Sequence, residues 1–316
     1  MCWLGAAVPF DQARHYLGRF EKVDITETML RETAEAYGAS FCAADEYRSK
    51  EFGTVSAEKT EILYVQADGG MVPIRGKTPE NRLKTEYKEV KVGVVFRTED
   101  IIRRKSAKGK EICRITKKRF ATSIGKGVEH FAQLLKRVAA EAGSMRAQTI
   151  VFISDGADWL DHMRERLFPR SVHILDWYHA SEHLWNCGKA IFGENETASV
   201  REWVEPLREM LWNGMAEAVC ERLLFEAKRR PRVQTPIIEL HNYYKSRLDK
   251  MRYPHFRRMG FFIGSGAVES AHKYLVQSRL KQAGMKWTID GASAIIRLRQ
   301  MLYDGSWDLQ WGRSAA

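Results

Sequence analysis

The spacing of apolar and polar positions divides the chain into an opening helical stretch, a run of strands, and a long helical remainder interrupted by two further strands. The pattern predicts two or three short helices within a segment 1–39, including 10–20 and 27–37, with Asp24 or Thr26 placed to cap the latter. They read either as a helix-turn-helix-like module or as a helical pair packed on the main domain. From 40 to 59 the sequence turns polar and loses its period, which predicts a linker. Residues 61–67 (EILYVQA) form an apolar run ending in the turn signal Asp68-Gly69-Gly70, and 71–75 and 87–96 predict two more strands in antiparallel succession. Val128, Phe131, Leu134, Leu135 and Val138 mark one face of a helix over 128–142.

A fourth strand, 149–154 (TIVFIS), runs into Asp155-Gly156 and a short helix at 159–167; a fifth, 172–175, leads through Asp176 into a helix reaching about 190. About 195–255 the pattern is helical throughout, broken at Asn213-Gly214, Pro231 and Pro236, which predicts an all-α insertion. A helix over 267–281, a turn at Gly284 and a last helix at 290–303 follow, with 304–316 as a tail. This order predicts an α/β fold, a mixed five-stranded sheet with helices packed on it, in one domain over 60–303.

The 316 residues, 44% hydrophobic and 29% charged, suffice for a large core plus an appendage and argue against wholesale disorder. No apolar run approaches the roughly 18–20 residues that cross a bilayer, and the opening 1–10 lacks the basic start of a signal peptide, so a cytosolic location is expected. Cys2, Cys42, Cys113, Cys187 and Cys220 are odd in number and scattered, which predicts reduced thiols rather than a disulfide framework or a cysteine-rich zinc site. Fifty-one Lys and Arg against forty Asp and Glu leave a charge of +11, which points to a polyanionic partner, nucleic acid before membrane. Nine of those cations lie within 103–119, against a single Glu. With Arg103, Arg104, Lys105, Lys117, Lys118 and Arg119, this stretch reads as an exposed loop or hairpin that grips phosphates, as does the cluster Lys228, Arg229, Arg230 and Arg232. Trp177, Trp185, Trp203 and Trp212 would stack on unpaired bases or, as helical bundles more commonly require, fill the core.

Three acidic residues occupy the informative junctions: Asp68 after the first strand, Asp155 after the fourth, and Glu269 in the first turn of the late helix. Each alone is ordinary turn or helix-start chemistry. A carboxylate following a buried apolar run is costly unless paired or metal-bound, and three converging carboxylates would need a divalent cation. All-oxygen ligands favour Mg²⁺ or Mn²⁺, and two ions at such a site would suit in-line phosphoryl transfer. Asp176, His179 and His183 share a helix face at i, i+3 and i+7; that spacing suits a metal, a DNA anchor or, equally, a buried His–Asp hydrogen bond at a strand-to-helix junction. Cys187 continues that face, but one straight helix cannot wrap four ligands around zinc. Asp158 reads as a cap for the helix at 159, and His272, Lys273, Arg279, Lys281 and Lys286 as a cationic edge, with Lys273 a phosphate contact.

The ordered set Asp68 in QADGG, Asp155 in ISDGADWL, the block DWYHASEHLW at 176–185, and Glu269 in GSGAVESAHKYLVQSRLKQAGMKW resembles the DDE transposases of bacterial insertion sequences, especially the ISKra group, related to Mutator-like transposases. The resemblance spans about 60–303 and extends to the helical start (CWLGAAVPFDQARHYL). It implies an RNase H-like fold with the helical insertion before the last catalytic helix, Asp68, Asp155 and Glu269 as the metal-binding catalytic triad, and Asp176-x-x-His179 as an auxiliary signature. It implies hydrolysis at element ends, transfer of the 3′-hydroxyl into target DNA, an oligomer on DNA, and a nucleoid-associated bacterial protein. Such proteins are expected to carry a further DNA-binding segment upstream, so a truncated, non-catalytic DNA-binding remnant is one alternative, and an RNase H-like nuclease without strand transfer another.

Overall fold

Thr60–Lys77 form one 18-residue strand, β1, that runs straight through Asp68-Gly69-Gly70. The expected turn does not form. Neither glycine adopts a positive φ, and all three residues keep their places in the antiparallel ladder with β2 (Leu83–Arg97), opposite Val92, Lys91 and Val90. The strands expected at 61–67 and 71–75 are therefore a single strand. The basic stretch divides: β3 (Ile101–Lys105) and β4 (Glu111–Ile115) form a separate two-stranded sheet, and β5 (Arg119–Ile124) is the third antiparallel strand of the main sheet, paired with β2. With β6 (Ala147–Ser154) and β7 (Val172–Leu175), which run parallel to each other, the strand order is β5-β2-β1-β6-β7. Three antiparallel strands followed by a parallel pair give a mixed five-stranded sheet, as expected in number, with β5 in the place left by the merging of the strands at 61–67 and 71–75.

This computed structural model describes residues 1–50, 59–77, 82–105, 109 and 111–312. The helices are α1 (Cys2–Ala7), α2 (Phe10–Phe20), α3 (Glu27–Lys50), α4 (Val128–Glu141), α5 (Asp158–Leu167), α6 (Trp177–Phe192), α7 (Thr197–Trp212), α8 (Ala216–Arg229), α9 (Gln234–Lys245), α10 (Tyr253–Arg258), α11 (Gly266–Ala271), α12 (Ser278–Leu280), α13 (Ile289–Asp304) and α14 (Trp307–Gln310), with a π-helical turn, His272–Gln277, joining α11 to α12. The chain divides into two units: Met1–Ile150 with Met163–Pro169 and Gly266–Ala316, and Val151–His162 with Arg170–Ser265.

In the first unit, α4 packs against the sheet at Gly93, where a Cβ would lie 2.7 Å from Leu135 Cδ1. The opposite face meets the helical stretch from α11 onward and α13; Gln300 Nε2 donates to Thr122 Oγ1 at 2.9 Å, and the Phe120 and Tyr274 rings meet edge to face. Helix α3 continues to Lys50, through the first part of the expected linker; residues 51–58 lie outside the described residues. The reason is Asp45. Its buried carboxylate meets Arg297 at 2.6 Å, Arg48 at 2.7 Å and Arg137 at 3.3 Å, so the helix buries a charge where an apolar residue would have kept the period visible. The opening helices belong to this unit rather than to a separate module. Arg279, expected on a cationic edge, is fully buried: it donates twice to the Gly5 carbonyl, at 3.0 and 3.2 Å, and lies over the Phe10 and Trp287 rings. Within the expected tail, 307–310 form α14, and 313–316 are not among the described residues.

The second unit contains the parallel residues Val151–Ser154 and β7, then α6, and over 197–258 the helices α7 to α10. Its core is aromatic: Trp177 is buried edge-on against Trp212 and Tyr253. All five cysteines are free thiols, and among the described residues no helix is long and apolar enough to cross a membrane.

Candidate functional site

On β1, side chains alternate between faces, so Gln66, Asp68 and Gly70 share one. That face receives the start of α11. Gln66 is buried within an apolar run, and its Oε1 accepts the backbone N–H of Val268 at 3.1 Å, satisfying a donor that the first helical turn leaves open. The bond pins the helix one residue before Glu269, which is half-buried. One turn later the buried His272 places Nε2 3.4 Å from the Asp68 backbone oxygen, to which it donates with the proton on Nε2, and 3.5 Å from its Oδ2. Burial outweighs the adjacent carboxylate and holds the His272 pKa below the ordinary imidazole value. His272 is thus a neutral partner of Asp68, not part of a cationic edge. Asp68 Oδ1 also accepts from Gly69 N at 2.7 Å.

Gly70 explains itself here. A Cβ at that position would stand 3.1 Å from His272 Cε1 and 3.2 Å from Nδ1, so glycine leaves room for the imidazole. Gly70→Ala is expected to cost about 1 kcal/mol in chemical denaturation, within the range of modest overpacking, while displacing the ring that holds Asp68. A variant as stable as the wild type would show that the ring is not confined.

Asp155, in the second unit, is half-buried directly after β6. Its Oδ1 accepts from Ala157 N at 2.9 Å, closing an Asx turn over Gly156, whose φ is +86°. Tyr243 of α9 and Arg247, just beyond its end, hold that turn by its backbone. Tyr243 Oη donates to the Asp155 carbonyl at 2.6 Å; Arg247 donates to the Gly156 carbonyl through Nη2 at 2.7 Å and Nε at 3.2 Å. Arg247 also lies over the Tyr243 ring and pairs with Asp158 at 3.3 Å. Asp158 is therefore an exposed partner of Arg247 in the first turn of α5, not its cap. Burial raises the Tyr243 pKa, keeping the phenol a donor.

Asp176 is fully buried and caps α6, accepting from the backbone N–H of Tyr178 and, at 3.0 Å, of His179; its Oδ2 accepts from Ser265 N. The alternative of a buried His–Asp bond is not what forms: His179 Nδ1 lies 3.7 Å from Glu182, and His183 stacks on Tyr243 with ring centroids 4.1 Å apart. Cys187 is buried on Pro236 O, and burial pushes its pKa up to about 12.

Of the expected phosphate grips, Arg103, Arg104, Lys105, Lys117 and Lys273 are exposed, whereas Lys118 and Arg119 are half-buried, with both pKa values lowered by burial. Lys118 lies 5.4 Å from the Tyr274 ring centroid. Arg230 pairs with Glu226 at 3.0 Å.

Asp68, Asp155 and Glu269 offer only oxygen donors, a set suited to a hard divalent cation. Among the described residues no group of three or more His, Cys, Asp or Glu is assembled as a metal-holding cluster. Gln66, Tyr243 and Arg247 escape sequence reasoning. For Gln66 there is a signal, a lone polar residue inside EILYVQA two positions before Asp68; Tyr243 and Arg247 have none, because their targets lie about ninety residues away in the chain.

No protein-family model and no curated protein matches this sequence. Among solved structures, the Drosophila P element transposase strand transfer complex is similar with a TM-score of 0.41 and 8% identity, over 95% of this chain and 90% of that chain.

Proposed function

We propose that the protein is a DDE-type DNA transposase, related to the insertion-sequence enzymes of the ISKra group, which hydrolyses a phosphodiester at an element end and joins the freed 3′-hydroxyl to target DNA. The observation that carries this reading is the docking of the Glu269 helix on the Asp68 face of β1 through Gln66 and His272, which gives two acidic residues 201 positions apart a common setting. Asp68, Asp155 and Glu269 would hold Mg²⁺ or Mn²⁺, two ions in this reading. When bound, such ions supply Lewis-acid stabilisation of the attacking and leaving oxygens. The chain's own contribution is positional: His272 orients Asp68, Gln66 fixes the start of α11, and Tyr243 with Arg247 fixes the backbone that presents Asp155. Lys273 and the exposed cations of 103–105 would contact phosphates, and two element ends held together would require an oligomer on DNA.

The test is a nicking and strand-transfer assay on supercoiled plasmid with Mg²⁺ or Mn²⁺, comparing wild type with Asp155→Asn. The expected result is metal-dependent cutting and joining by the wild type only. Nicking without joining would identify a nuclease, and salt-sensitive binding with no cutting by either protein a DNA-binding remnant; both overturn the proposal.

A further inference from the structure

Between β2 and β5 the chain leaves the main sheet as a two-stranded ribbon, β3 and β4, whose strands, among the described residues, pair only with each other. An isolated pair of strands is marginal in water, and this one is held from its base. Arg97 pairs with Asp100 at 3.1 Å, Thr98 Oγ1 donates to the Ile62 carbonyl, Glu99 accepts from Thr60 Oγ1 and Glu61 N, and Thr116 donates to the Asp100 carbonyl through both N and Oγ1. Every one of these bonds precedes or follows the ribbon, or ties its root to β1.

The register sorts the ribbon's side chains. Ile102 lies opposite Arg114 and Arg104 opposite Ile112, so these four share one face. Ile102 is 41% and Ile112 53% exposed, and both arginines are exposed. Two isoleucines alternating with two guanidiniums, in a stretch of nine cations and one acid, suit neither a core, which would exclude the charges, nor a purely electrostatic grip, which has no use for the isoleucines. They suit a DNA groove, where arginine reaches guanine edges, apolar side chains meet thymine methyls, and the walls are phosphate.

We infer that the β3–β4 ribbon enters the major groove of duplex DNA with the Ile102, Arg104, Ile112 and Arg114 face against the base edges. A two-stranded ribbon fits that groove in width. The inference rests on the proposed function for its choice of DNA as the partner, but not on catalysis.

The test is equilibrium binding of a labelled duplex, without divalent metal, across a salt series. Arg104→Gln/Arg114→Gln and Ile102→Ser/Ile112→Ser are each expected to weaken binding about tenfold at fixed salt. The isoleucine pair is the decisive variant: apolar contacts release no counterions, so its salt slope should equal that of the wild type. Because these side chains are exposed, the melting temperature of both variants should stay unchanged. Unchanged affinity of the isoleucine pair, or equal binding to an RNA duplex, whose major groove is too narrow for such a ribbon, overturns the inference. Ribbon-dependent binding by a protein that never cuts DNA would leave the inference standing and overturn the transposase reading instead.

Discussion

Arg299→Met should lower the stability of the protein by about 3–5 kcal/mol, since several buried neutral acceptors lose their donor at roughly 1–3 kcal/mol each before relaxation. Arg299 is 2% exposed. Its guanidinium donates to the carbonyls of Leu275, at 2.9 Å, and Tyr274, to Ser278 Oγ at 2.8 Å, and to the Ala6 carbonyl at the end of α1. Two of those acceptors lie in the π-helical turn that follows Glu269, so one side chain of α13 serves both the distorted turn and the opening helix. Methionine fills much of the volume but supplies no donor, and each abandoned buried carbonyl costs roughly 1–3 kcal/mol, only partly recovered by relaxation. At about 2–4 °C per kcal/mol for a chain of this size class, the melting temperature should fall by roughly 10 °C. Thermal unfolding followed by circular dichroism checks this; a shift within 2 °C would mean that the carbonyls find other donors.

The polar residues that shape this fold are also where the sequence was hardest to read. Alternation and apolar runs located the two strands preceding Asp155 and Asp176, because a short buried strand needs nothing beyond its own residues. Asp68-Gly69-Gly70 reads locally as a turn, yet it stays extended in the ladder with β2, where Gly70 leaves room for His272, about two hundred residues on. β5 carries only six residues beside a dense run of cations, so its apolar positions Phe120, Ala121 and Ile124 are swamped in any longer window. In α3 the helical stripe passes from Leu30, Ala34 and Gly38 to Asp45, and a charge neutralised by Arg48 one turn on and by the distant Arg137 and Arg297 leaves no hydrophobic trace. Asp155 directly follows a strand and Glu269 lies in the first turn of a helix, junctions that local pattern marks; Asp68 stands out in the sequence by a turn signal, although it lies inside β1. The groups that hold them, Gln66, Tyr243 and Arg247, act across the fold and were not legible.

Asp155 and Asp176 can be separated by opposing a loss of chemistry to a loss of fold. Asp155→Asn is nearly isosteric, its amide oxygen can still accept from Ala157 N, and Tyr243 and Arg247 bind backbone carbonyls that the substitution leaves in place. The variant should therefore melt close to the wild type; under the proposed function it should bind DNA but lose strand cleavage, because an amide lacks the charge that a divalent cation requires. Asp176→Ala should do the reverse in its first effect. It removes the acceptor for three backbone N–H groups, two in the first turn of α6 and one at Ser265. A lost cap costs about 1 kcal/mol and a charge-assisted bond about 1.5–3, so a loss of roughly 3 kcal/mol is expected in denaturant titration. Cleavage should fall as well, since Ser265 is four residues before Glu269 in the chain, but this part should be restored in step with stability when an osmolyte favours the folded state. An Asp176→Ala protein of wild-type stability with no cleavage would place Asp176 among the reacting groups. A destabilised Asp155→Asn protein would instead make Asp155 a structural residue of its turn.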